Sequence, residues 1–312
     1  MKSLALSMLA IASIAAMSSC SSENDPVDEV IAGNQEKVEI KLSAGTIGVE
    51  TKAPIINLEG LANSDKKIGI YAIDGTGWTA TPRIANQSSS TNTSGDITFD
   101  DSKKYYYPGT GDVNFYAYFP YEGTNITAPG EGTAPSVSFT ITGQEDLMYA
   151  TPVSGNKTTP PANALKFNHA LTQIQFKVKA GSIPNDVTLT SIKVTGVNDQ
   201  CKMDIATGTL SEWKKSGSAT FDASVTGTPT IGNEAAAGSP IMLQPEQTSF
   251  TIEVVTSMGT YSGISITPTG SDSEFTAGKS YDVLLTFNAT EIAVKAEVTA
   301  WTSGGTGEGT VE

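Results

Sequence analysis

The sequence is poor in the groups that carry chemistry. Of its 312 residues one is histidine, two are cysteine, and Arg83 is the only arginine. A lone His169 builds neither a histidine metal cluster nor a two-histidine site, so it reads as a structural histidine beside a strand start. Cys20 closes the amino-terminal apolar run and Cys201 stands alone in the body, which leaves no disulfide framework once Cys20 is modified. Cys201 itself reads as a small, partly buried apolar residue. No Gly-x-Ser-x-Gly elbow stands between a strand and a helix. The run Gly305-Thr306-Gly307-Glu308-Gly309 lacks the following helix and the Lys-Ser/Thr pair of a phosphate loop. The carboxylate pairs Asp100-Asp101 and Glu145-Asp146 suit glycosidic chemistry only when held about 5–9.5 Å apart across a cleft, and they read as solvated turns. These shortages point away from an enzyme and away from any cofactor or metal.

Positive charge is scarce as well. The formal net charge is −14 and no basic stripe offsets it, so a phosphate backbone is repelled and nucleic acid is not an expected partner. Long apolar runs are also missing. The longest, Leu4 to Met17, falls short of the ~20 residues that cross a bilayer comfortably.

Turn formers and β formers are abundant: 30 Gly and 15 Pro punctuate short runs rich in Thr, Ser and Val. No long amphipathic helix is legible beyond the leader, so the expected class is all-β. The length exceeds what one hydrophobic core usually serves, which favours two domains. Thr158-Thr159-Pro160-Pro161 cannot donate to a sheet and reads as a stiff connector between them. The expected organisation is a leader over 1–20, an acidic tether over 21–35, β-sandwich domains over 36–157 and 162–301, and a Gly/Thr-rich flexible tail over 302–312.

Strict alternation marks the strands. Val38, Ile40, Leu42 and Ala44 share one face of the first, with Lys37, Glu39, Lys41 and Ser43 on the other. Further strands are expected at Ile68 to Ala72, Val113 to Phe119, Val137 to Thr142, Leu189 to Thr195, Ile241 to Leu243, Phe250 to Val255, Tyr261 to Ile266 and Tyr281 to Phe287. Between them, Gln87 to Ser94 reads as a polar loop. From Ile174 the chain alternates again, with Ile174, Phe176, Val178 and Ala180 inward and Gln173, Gln175, Lys177 and Lys179 toward water. A closing strand carries Ile292, Val294, Ala296 and Val298 on one face and ends at Trp301. Tyr116 and Tyr118, in an aromatic-rich region with Trp78 and Tyr105 to Tyr107, are candidate glycan contacts. Strand packing explains the same residues.

Lys2 followed by the apolar run is an export signal, and Met17-Ser18-Ser19-Cys20 resembles a bacterial lipobox, making Cys20 the candidate lipid anchor. Acyl chains contribute about 0.8 kcal/mol per buried CH2, so more than one chain holds a precursor to a membrane. The acidic stretch after Cys20 is a solvated tether and also resembles the surface-export signal of lipoproteins in gut and oral Gram-negative anaerobes. Lipobox, tether, first strand, Asp146-Leu147-Met148-Tyr149-Ala150, Leu165-Lys166-Phe167-Asn168-His169-Ala170-Leu171-Thr172-Gln173-Ile174 and the closing strand follow in one order. That order resembles the fimbrillin (type V pilus) family of lipoprotein pilins.

The resemblance implies two tandem transthyretin-like β-sandwich domains, outer-membrane display, removal of the first strand by a trypsin-like protease, and polymerisation by strand exchange. Its implied partners are other pilin subunits, the outer membrane through lipid, and a host or microbial receptor or glycan. Lys52 is the basic residue in the loop after the first strand and the candidate cleavage point. An Arg-specific protease would find only Arg83. Losing four inward apolar side chains would forfeit on the order of 5–10 kcal/mol, comparable to the stability of a domain. It would also open a groove for another strand of the same period, for which Ile292, Val294, Ala296 and Val298 are the candidate donor residues. A monomeric surface lipoprotein that binds glycans through the aromatic cluster is the alternative reading.

Overall fold

The computed structural model describes residues 37–46, 57–269, 272–288 and 292–299. The leader with Cys20, the tether, Lys52, Trp301 and the 302–312 tail lie outside the described residues. Within them the chain is all-β apart from one short helix, α1 (Leu58–Ala62), whose first turn is capped by Asn57 Oδ1 accepting from Gly60 N at 2.8 Å.

The first strands are β1 (Ala44–Thr46), β2 (Ile68–Asp74), β3 (Ile84–Thr91), β4 (Ile97–Phe99), β5 (Val113–Phe119), β6 (Ile126–Thr127) and β7 (Ser136–Thr140). Next come β8 (Met148–Thr151), β9 (Val153–Gly155), β10 (Leu165–His169), β11 (Thr172–Ala180), β12 (Leu189–Thr195), β13 (Gln200–Asp204) and β14 (Leu210–Lys214). The series ends with β15 (Thr220–Asp222), β16 (Ala235–Ala236), β17 (Ile241–Leu243), β18 (Phe250–Thr256), β19 (Gly259–Ile266), β20 (Ser280–Phe287) and β21 (Ile292–Thr299).

They form four sheets. The largest runs β1-β10-β8-β5-β2-β3-β4, with β9 also on β5; a second runs β14-β13-β7-β6. The third runs β16-β11-β20-β21 with β17 on β11, and the fourth runs β15-β12-β18-β19. Hydrogen-bonded strands cross the Thr158–Pro161 connector in both directions. β10 follows it yet pairs with β8, Phe167 opposite Ala150, while β7 precedes it yet pairs with β13, Phe139 opposite Cys201.

Two apolar clusters fill the interior. On one side of the largest sheet lie Ile70, Phe115, Ala117, Met148, Leu165 and Phe167. Tyr71, Ile73 and Tyr118, the odd members of the alternation in β2 and β5, join Val137, Phe139 and Met203 in the other cluster. A strand at the centre of a sheet covered on both sides buries both its faces, and β2 does so from Ile68 through Ile73. Gly69 lies against the ring of Tyr118, where any side chain would collide with it.

The structure corrects two readings of polarity. Gln87 to Ser94 is not a loop as expected: most of it lies in β3, paired with β2 and β4 and burying Ser89. Gln173 and Gln175 do not face water. Both are buried in β11, which sits between β20 on one side and β16 and β17 on the other. Gln173 Oε1 accepts from Ser280 Oγ at 2.8 Å, and Gln175 Nε2 donates to Phe176 O at 3.0 Å.

Candidate functional site

The segment preceding and entering β1 is built into the first core. Ile40, Leu42 and Ala44 are 3%, 7% and 4% exposed, and Val38 packs half-buried against the same cluster. Lys37, Lys41 and Ser43 are exposed, so the alternation written in the sequence is the alternation of the structure. The backbone, however, is not one regular ladder. Ile40 N donates to Tyr105 O (2.7 Å), Tyr107 N to Val38 O (3.0 Å), Ile97 N to Leu42 O (3.0 Å) and Ala44 N to Gly95 O (2.7 Å). On the opposite edge Leu165 N donates to Ser43 O at 2.8 Å, and β1 continues parallel to β10, Ala44 opposite Leu165.

The groove that receives this segment uses residues whose part in it the sequence did not show. Gly95 has φ +91, and a Cβ there would stand 2.6 Å from Ala44 O, so only glycine lets the two backbones approach. Arg83 forks onto Asp74 at 2.5 and 2.6 Å and donates to Tyr106 O at 2.9 Å. Tyr106 in turn bridges Glu39 and lies under the Lys37 ammonium, 5.7 Å from its ring centroid. With its guanidinium bound on both sides, Arg83 is engaged where a trypsin-like pocket would need it extended. Tyr107 packs edge-on against Phe115; burial raises its phenol pKa, and its hydroxyl has no hydrogen-bond partner. The signals for this groove were a glycine and an aromatic run whose partners are remote in sequence.

At the other end, β21 lies at the edge of its sheet, antiparallel to β20 from Ile292 opposite Phe287 to Thr299 opposite Ser280. Ala296 is buried and Ile292 half-buried against the larger cluster. Val294 and Val298 pair with Leu285 and Tyr281. Among the described residues no strand pairs with the other edge of β21.

Of the two tyrosines expected to meet a glycan, Tyr118 is turned inward, which corrects the reading for that residue. Tyr118 is fully buried; its hydroxyl donates to Asn86 Oδ1 at 2.6 Å and accepts from Glu122 N at 3.1 Å. Burial raises its pKa despite those hydrogen bonds. Tyr116 is half-buried against Trp78, with centroids 4.7 Å apart. Both faces of β5 are covered, so neither ring stands free as a platform.

The remaining chemical groups have structural partners. Burial pushes the Cys201 thiol up to about 12, which keeps it protonated and unreactive at neutral pH. Burial raises the Asp100 pKa, but hydrogen bonds from Ser88 (2.6 Å) and Ser90 (2.7 Å), with Lys67 nearby, bring it below the ordinary range. Glu145 closes a turn by accepting from Thr142 N and Oγ1. His169 Nδ1 lies 2.9 Å from Asp146 Oδ1. Among the described residues no group of three His, Cys, Asp or Glu is arranged to hold a metal ion.

An all-β framework whose amino-terminal segment is part of its own core is the class these observations define. The chain belongs to the fimbrillin-like family, whose model matches residues 51–301. The fold is similar to that of a solved candidate cell adhesion protein from Bacteroides uniformis at 19% identity and TM-score 0.61, covering 85% of this chain and 99% of that one. A candidate cell adhesion protein from Bacteroides ovatus follows at 19% and 0.59, covering 86% and 100%. A fimbrial protein from Bacteroides vulgatus is similar at 16% and 0.58, covering 84% and 99%. At these identities the likeness is one of fold. A comparison with curated proteins finds no match.

Proposed function

We propose that the protein is a structural subunit of a surface fimbria, exported as a lipoprotein through Cys20 and joined to its neighbours by β-strand exchange in support of cell adhesion. In this reading the chain makes two tandem sandwiches, with β10, β13 and β14 lent back to the first. The observation that carries it is the seat of the first segment. Ile40, Leu42 and Ala44 are buried in the core, yet the backbone bonds holding them are dispersed over several partners.

Removing that segment would uncover the apolar cluster of Phe115, Met148 and Phe167 and the unpaired edge of β10. A strand of the same period arriving from a second subunit would cover both. The candidate donor is β21 with Ile292, Val294, Ala296 and Val298. Leaving β20 breaks a ladder that the neighbour's groove would have to replace. Lys52, which follows the segment in the sequence, is the candidate cut that would release it, with the outer membrane as the place of anchoring before the cut.

The test is amino-terminal sequencing of cell-surface material together with unboiled gels of the purified chain after trypsin. The reading expects a new terminus at Ala53, detergent-resistant ladders of multimers, and loss of both in Lys52→Gln. Surface material that starts only at lipidated Cys20 and never ladders would overturn it.

A further inference from the structure

The structure assigns a second feature that neither the family nor strand exchange requires. A cleft of about 430 Å³ is lined by Tyr149, Asn168, His169, Thr207, Trp213 and Glu246, with neighbouring turn and loop residues completing its wall. We propose that it binds a short neutral saccharide.

The lining comes from five separate stretches, the last of them Ala277-Gly278 before β20. Tyr149 on β8 and Asn168 on β10 are direct cross-strand partners. Thr207 stands in the turn between β13 and β14, Trp213 on β14, and Glu246 in the loop after β17. Each wall is held in place. Gly208, at φ +73, lies against the ring of Tyr149, where a Cβ would overlap it, so the turn and the ring are locked together. Asp204 Oδ1 accepts from Thr207 N (2.9 Å) and Thr207 Oγ1 (3.0 Å), which fixes the turn. Glu246 adopts φ +62, uncommon outside glycine, and its N donates to Phe275 O at 2.6 Å. His169 is positioned by Asp146, whose side chain is 1% exposed.

The chemistry of the lining selects the ligand. Trp213 and Tyr149 are half-buried aromatic residues of the lining, the kind of ring on which the C–H face of a sugar packs. Amide, hydroxyl and carboxylate groups beside them match sugar hydroxyls as donors and acceptors. Among the described residues no lysine or arginine lines the cleft, Glu246 does, and the chain carries −14 overall, so an anionic ligand is disfavoured. A purely apolar ligand would strip water from Asn168 and Glu246 without replacing it. The volume lies within the ~300–1,000 Å³ of small-ligand pockets. Tyr116 and Tyr118 take no part.

Ligand-observed saturation-transfer NMR on the full-length unprocessed chain tests this separately from assembly. The probes are maltotriose, cellotriose, mannotriose, galactotriose and N-acetylchitotriose, with 3′-sialyllactose and a blocked tripeptide as charged and peptide comparisons. At least one neutral trisaccharide is expected to bind saturably, about tenfold or more weakly after Trp213→Ala and more weakly after Glu246→Gln. Should Trp213→Ala fail to fold, Asn168→Ala and Trp213→Phe carry the comparison, the first weakening binding and the second retaining part of it. No saturable binding by any neutral probe, binding indifferent to these substitutions, or preference for sialyllactose or the peptide would each overturn the proposal.

Discussion

Two stretches share one alternating pattern, near opposite ends of the described chain, and they are attached in different ways. Val38 to Ala44 is held by side chains dropped into an apolar groove and by backbone bonds spread over both its edges, to Gly95, Ile97, Tyr105, Tyr107 and Leu165. β21 is held by an unbroken antiparallel ladder to β20, with Ala296 and Ile292 its described contacts to the core. Alternation therefore states which side chains face inward and says nothing about what fastens the strand. A segment fastened in this way leaves both an apolar groove and scattered backbone partners to be satisfied when it goes. One fastened by a ladder needs an equivalent sheet edge to move to.

The strongest way to break this comparison is to empty the groove. Ile40→Ala combined with Leu42→Ala removes two buried branched side chains and should cost roughly 4–8 kcal/mol in urea denaturation. A loss below about 1 kcal/mol would mean the segment does not seal the core. Ala296→Leu overfills the contact made by β21 and should cost about 1–3 kcal/mol, because the ladder can shift slightly to relieve it. If it cost more than the double substitution, the ranking of the two attachments would be reversed. The smallest effect is expected at Tyr107, whose hydroxyl is buried without a partner. Tyr107→Phe should be neutral or stabilise by up to about 1 kcal/mol. A clear loss in thermal or urea unfolding would show that the hydroxyl is in use.

Much of the strand inventory was legible from the sequence, and its limits have physical causes. Leu189–Thr195 and Ile241–Leu243 were expected with the bounds observed, since branched residues in a period of two leave few alternatives. β3 was missed because its neighbours satisfy the backbone of a Ser-rich run that has little apolar surface to advertise. Gln173 and Gln175 read as facing water because alternation normally means one wet face, and on β11 that face is covered at both glutamines and opens only toward Lys177 and Lys179. β13 and β14 were not expected, although Cys201, Met203 and Ile205 are buried at alternate positions. The inward face of the first segment was readable residue by residue. Its groove and the sugar-sized cleft were not, because both gather residues tens to more than a hundred positions apart, and spacing along a chain carries no record of such meetings.

The side-by-side run of β1 with β10, Ala44 to Leu165 and Thr46 to Phe167, also imposes a schedule on the newborn chain. Its earliest described portion has to wait until more than a hundred later residues have been made before its final berth exists. Closing so wide a span is slow compared with local hairpins, so β2 and β5 have time to pair while the opening portion is still unberthed. Whatever meets the newly made sheet during that interval competes with the chain's own beginning for the same place.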